Sequence, residues 1–131
     1  LSPKRYSYGC IQKTKEFVIN FIPYALAPEA DYCGTHSGRN NDKVKETKLT
    51  LSKSTTLKTP LITEGYAHLE CTLAKIMPIG DHDLIIGEVV AATADDHAFT
   101  NDLLNIERQQ PLYYIGDNKY TTLDPAARHE F

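Results

Sequence analysis

The clearest pattern along this chain is alternation. From Glu16 to Ile22 the run E-F-V-I-N-F-I puts Phe17, Ile19 and Phe21 on one face and Val18, Asn20 and Ile22 on the other, so it predicts a strand. Asn20, a polar residue among apolar ones, needs a hydrogen-bond partner wherever that strand is covered. A second, longer pattern runs from Gly65 to Ala94. Its first arm places Ala67, Leu69, Cys71, Leu73, Met77 and Ile79 on one face, with Tyr66, His68, Glu70 and Thr72 opposite. Its second arm, D-L-I-I-G-E-V-V-A-A-T-A, is apolar on both faces, as a central strand is. Gly80-Asp81-His82-Asp83 between them reads as a turn, which makes the whole unit a long β-hairpin.

The remaining segments carry weaker patterns. Pro3 makes the opening extended or turn-like, and Pro23 stops the first strand. Pro28 fits the first turn of a short helix that ends at Gly34. The polar stretch that follows allows one helical turn around Asn41 to Glu46. Leu49 to Leu61, rich in hydroxyls and lysines, predicts an exposed edge strand or an extended connection. His97 to Gln110 reads as a short helix around Thr100 to Glu107 or as an irregular loop. Pro111 then opens two short aromatic strands about a Gly-Asp-Asn-Lys turn. The tail from Asp124 is expected to be frayed or docked on a partner. Strands dominate, so the sequence predicts a mainly β protein: a small antiparallel barrel with a few short helices.

Composition narrows the class. At 131 residues and 41% hydrophobic, residues 1–131 suit one domain with a core of its own. No run is long enough to span a membrane as a helix, and no signal-like opening is present. Three cysteines at unrelated spacings suggest no disulfide framework and favour a reducing, cytoplasmic setting. A net charge of −3 and a pI near 5.9 argue against general nucleic-acid binding. The chain opens Leu-Ser-Pro, already in patterned sequence, and that reads as a start partway into a domain.

Against that acidic background one segment stands out. Cys33 to Lys43, C-G-T-H-S-G-R-N-N-D-K, has no apolar periodicity and gathers donors suited to an anion such as a phosphate. Gly34 and Gly38 let backbone N–H groups converge, Ser37 offers a hydroxyl, Arg39 a planar fork and Lys43 a compact charge. An ordinary polar surface loop would show the same composition. Ser2, Lys4, Arg5, Tyr6, Ser7 and Tyr8 form a second cluster of cations, hydroxyls and rings. The spacings Cys33-x2-His36 and His68-x2-Cys71 resemble two halves of a zinc site, but three residues along a strand puts His68 and Cys71 on opposite faces, so no metal site is expected. His82 lies at a turn between strong strands, where it is either a solvent-facing histidine or a side chain aimed at something outside the barrel.

Taken in order, S-P-x-R-Y-S-Y, E-F-V-I-N, C-G-x-x-S-G-R-x-x-D-K, L-E-C, G-D-H-x-L-x-x-G-E-V and P-L-Y-Y-I-G-x-x-x-Y resemble the flavin reductase-like family of FMN-binding split barrels, which includes flavoredoxins. Two departures are visible. Members carry a leading segment that forms the first barrel strands and contributes to the flavin phosphate site, and they tend to have Phe where this chain has Val44. The resemblance implies a single FMN-binding split-barrel domain, lacking those leading strands, with FMN held by Arg5, Tyr6, Ser7, Ser37, Gly38, Arg39 and Lys43 near a homodimer interface. His82 is implied to lie near the flavin ring or the incoming nicotinamide as the catalytic residue, while Asp42 would orient Arg39 or Lys43. The implied reaction is hydride transfer from NADH or NADPH to FMN, with the nicotinamide nucleotide bound over the flavin because no dinucleotide fingerprint is present. An electron carrier using a redox protein partner and a flavin-free binding module are the alternatives.

Overall fold

The computed structural model describes residues 1–127. In chain order its elements are α1 (Tyr6–Thr14), β1 (Glu16–Phe21), α2 (Ala27–Thr35), α3 (Lys43–Thr47), β2 (Leu51–Ser52), β3 (Leu61–Ile62), β4 (Ala67–Ile79), β5 (His82–Ala94), β6 (Phe99–Thr100), β7 (Leu103–Leu104), β8 (Tyr113–Gly116) and β9 (Lys119–Thr121), with short 3-10 turns between some of them. The fold is mainly β, as the alternation predicts. Its frame is an antiparallel sheet in the order β1–β4–β5, flanked by three two-stranded pairs, β2–β3, β6–β7 and β8–β9. An isolated bridge between Pro23 and Pro111 brings the end of β1 to the start of the last hairpin.

Register decides which side of this sheet is covered. Glu16, Val18 and Asn20 stand opposite Thr72, Glu70 and His68, while Phe17, Ile19 and Phe21 stand opposite Cys71, Leu69 and Ala67. The faces are those the sequence predicts. The polar one, however, is the side the chain folds over. Glu70, 1% exposed, accepts backbone N–H bonds from Thr55 (2.6 Å), Thr56 (2.8 Å) and Leu57 (3.1 Å) and a hydroxyl bond from Thr56 (2.8 Å). Glu16 accepts from the N–H groups of Lys58 and Thr59, and Asn20 Oδ1 from the N–H of Ile62 at 2.9 Å. His68 bonds the Ile62 carbonyl at 2.9 Å. The segment between β2 and β3 has no ladder of its own over most of its length, so these side chains satisfy its backbone.

On the opposite face Cys71 is buried under the Phe17 ring, and Gly87 completes the contact. A Cβ at Gly87 would lie 2.4 Å from Phe17 Cζ and 2.9 Å from Cys71 Cβ. Further along that face Ile19 and Phe21 are about two fifths exposed. Two irregularities, between Glu70 and Cys71 and between Leu73 and Lys75, shift the β4–β5 register and bend the hairpin.

Three sequence expectations change. The opening makes the turn the sequence allows, at Ser2–Arg5, but beyond it the chain forms α1, which no pattern predicts, closed by Lys15 in the left-handed region (φ 61°) with its N–H on Ile11 O. β5 is an edge strand, and β4 is the central one. Residues 97–110 contain no α-helix; a 3-10 turn at Asp96–Ala98 leads into the tiny β6–β7 hairpin, whose loop residues Asn101 and Asp102 both have positive φ. Leu49–Leu61 is a connection and not an edge strand, the second of the two forms the sequence allows; it pairs only at its ends and is otherwise pinned by the acceptors described above. The α2 helix runs through Thr35, one residue beyond Gly34, and α3 starts at Lys43 behind an Asp42 cap that accepts the Lys45 N–H at 3.2 Å. Asp42 therefore caps a helix, and its carboxylate bonds neither Arg39 nor Lys43. The last residues of the tail lie outside the described residues.

Candidate functional site

Two segments distant in sequence build one cleft. The first wall is the chain start with α1, contributing Lys4, Arg5, Tyr6, Ser7 and Cys10. The second is the end of α2 and the loop into α3, contributing Cys33, Gly34, His36, Ser37, Gly38, Arg39, Asn41, Asp42 and Lys43. Between them lies a volume of about 880 Å³. Seven of the eight predicted site residues, Arg5, Tyr6, Ser7, Ser37, Gly38, Arg39 and Lys43, line it together.

The electrostatics follow from that convergence. Four cations, Lys4, Arg5, Arg39 and Lys43, line the cleft with a single carboxylate, Asp42, in a chain whose net charge is −3. Such a concentration of one sign focuses a positive potential into a concave surface. The walls touch through specific contacts. Arg39 Nη1 donates to the Lys4 carbonyl at 3.2 Å, and its guanidinium lies over the Tyr6 ring, 5.9 Å from the centroid. A Cβ on Gly38 would come within 3.0 Å of that ring, so the glycine admits the close approach. Ser37 Oγ accepts the Arg39 N–H at 3.3 Å, and its carbonyl accepts from Asn41 Nδ2 at 3.0 Å, which folds the loop on itself. Lys43 Nζ donates to the Cys33 carbonyl near the end of α2. Lys43 thus ties the loop to the helix and contributes its charge from there.

Several lining residues were not among the predicted site residues. His36 stacks on Tyr32 at 3.9 Å, nearly parallel at 13°, and bonds the Tyr32 carbonyl through Nδ1 at 3.1 Å. Lys4 belonged to the predicted cation cluster without being singled out. Cys10 lies one helical turn from Tyr6, a relation visible only once α1 is known. Burial pushes the Cys33 thiol up and the neighbouring Lys43 charge opposes it. His82 is not among the cleft's lining residues. It begins β5 beyond the Gly80-Asp81 turn, is solvent-exposed, and pairs with Asp81 at 3.0 Å, which lowers the Asp81 carboxyl. Its neighbour Asp83 reaches back, bonding the Leu1 carbonyl through its N–H at 3.0 Å and Tyr8 through its carboxylate at 2.5 Å. Among the described residues no cluster of three or more metal-ligating side chains is present, and no helix is long and apolar enough to cross a membrane.

Fold and cleft together define a small mainly β barrel with one strongly cationic recess. The chain belongs to the flavin reductase-like domain family, whose model matches residues 1–123. Among curated proteins, one of Archaeoglobus fulgidus described as uncharacterised is 36% identical over 118 residues, covering 90% of this chain and 66% of its own length. One of Aeropyrum pernix, described likewise, is 32% identical over 118 residues, covering 88% of this chain and 44% of its own. The chain thus spans roughly half to two thirds of these relatives. Among solved structures, an FMN-binding protein from Thermus thermophilus with bound p-hydroxybenzaldehyde gives a TM-score of 0.78 at 28% identity, over 93% of this chain and 65% of that one. The flavoredoxin of Desulfovibrio vulgaris (Miyazaki F) gives 0.86 at 25% identity, over 100% of this chain and 71% of that one.

Proposed function

We propose that this chain binds FMN in the α1–α2 cleft and serves as an NAD(P)H-dependent flavin oxidoreductase. The observation that carries the reading is the gathering of four cations around one recess of an acidic chain, in a family named for flavin reduction and beside relatives described as FMN-binding. FMN carries a phosphate dianion, a polyhydroxy chain and a flat ring, and the cleft offers a counterpart to each. Arg5 and Arg39 supply charged donors from opposite walls, Ser7 and Ser37 hydroxyls, and Tyr6 and His36, the latter held by its stack on Tyr32, flat ring surface. Bound flavin would supply the chemistry, accepting hydride from a nicotinamide nucleotide and passing electrons to an acceptor.

The residues have separable tasks in this reading. Arg39, already held by the Lys4 carbonyl and the Tyr6 ring, presents its remaining N–H groups without further ordering. Lys43 keeps the loop against α2 and adds field. Gly38 sets the wall-to-wall distance. His82, outside the cleft of its own chain, acts on the cleft of a second copy in a homodimer. Three free thiols suit a reducing cytoplasm.

The test is the spectrum of purified protein and titration with FMN, followed by fluorescence quenching. Quenching that Arg39→Ala weakens roughly tenfold, with a loss that shrinks at high salt, is the expected result. A colourless protein that leaves added FMN fluorescence unchanged removes the proposal. The flavoredoxin likeness supports a second reading, an electron carrier that takes electrons from a protein partner. Anaerobic NADH or NADPH separates the two: prompt bleaching of the flavin marks a reductase, and bleaching only when a redox protein is added marks a carrier.

A further inference from the structure

The wall of the cleft that α1 forms is weakly held. None of its nine residues is buried, and of Tyr6 to Thr14 only Tyr8 and Ile11 are even half-buried. Its N-cap, Arg5, makes no side-chain capping bond. A helix in this condition gains little from burial or capping, so its placement must come from discrete contacts. At its C-terminal end the Leu73 N–H donates to the Lys15 carbonyl at 2.8 Å, anchoring it to β4. Toward its N-terminal end the Asp83 N–H holds the Leu1 carbonyl at 3.0 Å, and the helix itself reaches the same residue across 75 positions of sequence: Tyr8 Oη donates to Asp83 Oδ2 at 2.5 Å.

Helical geometry explains why this contact bears on the cleft. At roughly 100° per residue, Tyr6 and Cys10 share one side of α1, and Tyr8 points about 160° away from Tyr6. One side of the helix therefore lines the cleft while the other is tied to the hairpin tip. Asp83 is 8% exposed, and among the described residues Tyr8 alone bonds its carboxylate. Within β5 it directly follows His82.

We propose that the Tyr8–Asp83 hydrogen bond is the side-chain contact by which α1 itself is set against the hairpin tip, and with it the spacing of the cleft walls and the place of His82. The structural half stands by itself; the consequence for binding rests on the flavin reading of the cleft. The bond to Asp83, with burial and the carboxylate's charge added, raises the Tyr8 phenol above its ordinary range, so the donor keeps its proton.

Amide hydrogen exchange, with FMN titration alongside, tests this on the wild type, Tyr8→Phe and Asp83→Asn. Tyr8→Phe is expected to speed exchange across residues 6–14 about tenfold, leave β1 and β4 unchanged, and weaken FMN binding about tenfold. Asp83→Asn retains an acceptor oxygen and should stay close to wild type in both. Unaltered exchange in α1 of Tyr8→Phe overturns the proposal, and so does exchange rising equally in β1 and β4, which marks a general stabiliser. Faster α1 exchange with unchanged FMN affinity overturns its bearing on the cleft. A wild type that binds no FMN sinks the flavin reading, while the exchange result still decides whether α1 is held by this bond.

Discussion

Glu70 shows how much a single buried side chain can organise. Burial alone would push its carboxyl up, but the N–H groups of Thr55, Thr56 and Leu57 and the Thr56 hydroxyl more than offset that and hold it at about 2, against an ordinary 4.5. The folded value is the lower one, so the stabilisation is complete above pH 4.5 and disappears as pH falls toward 2. The unfolding midpoint of the wild type should drop through that window. In Glu70→Gln it should start lower at neutral pH and vary less between pH 4.5 and 2, as urea titrations at stepped pH would show. Gly87 makes a second residue-scale prediction. Any side chain there meets the Phe17 ring, so Gly87→Ala should cost about 1–3 kcal/mol of stability by denaturant unfolding, with the site unaffected. The Asn20 partner anticipated from the sequence proves to be the Ile62 N–H, a structural bond. Which backbone it would meet was not legible, because the partner lies 42 positions away.

Elements were legible where period and punctuation agreed. β1 and the β4–β5 hairpin follow the alternation almost residue for residue, and Pro28 and Gly34 mark out α2 within a residue. The last hairpin also follows its turn signal. Asp117 and Asn118 both have φ 52°, the conformation its two-residue loop demands. Replacing Asn118 by Gly should leave stability equal or slightly higher, whereas Asn118→Val should cost about 1–2 kcal/mol, measured as a shift in thermal or denaturant midpoint. Helix α1 escaped notice for a physical reason. Its sequence, Y-S-Y-G-C-I-Q-K-T, has no apolar stripe at helical spacing and includes Gly9, so neither propensity nor periodicity announces it. Tertiary contacts at its two ends supply what the sequence pattern lacks.

At the scale of the whole molecule the exposed area is large for the chain's mass. A compact monomer of 14.7 kDa exposes roughly 6,900 Å², and this chain exposes 9199 Å². Apolar residues of β5, among them Leu84, Ile86, Val89 and Val90, contribute to that surface along an edge strand. On the homodimer reading a second copy covers it, so light scattering on the eluting protein should give twice the chain mass, and Ile86→Glu should shift it toward the monomer. A monomeric wild type would remove the role given to His82 across the interface.

The sequence by itself determined the family, the mainly β class, the long hairpin and the two polar segments that meet at the cleft, because local alternation, turn residues and motif order are written in contiguous stretches of chain. Only the tertiary structure decided that Arg5 and Arg39 line one recess, that β4 and not β5 is central, that the polar face of the sheet is the one the chain folds over, and that His82 is not among the residues lining its own cleft. Those outcomes depend on hydrogen bonds and strand pairings between residues dozens of positions apart, and no local pattern encodes which distant backbone group an acceptor will meet.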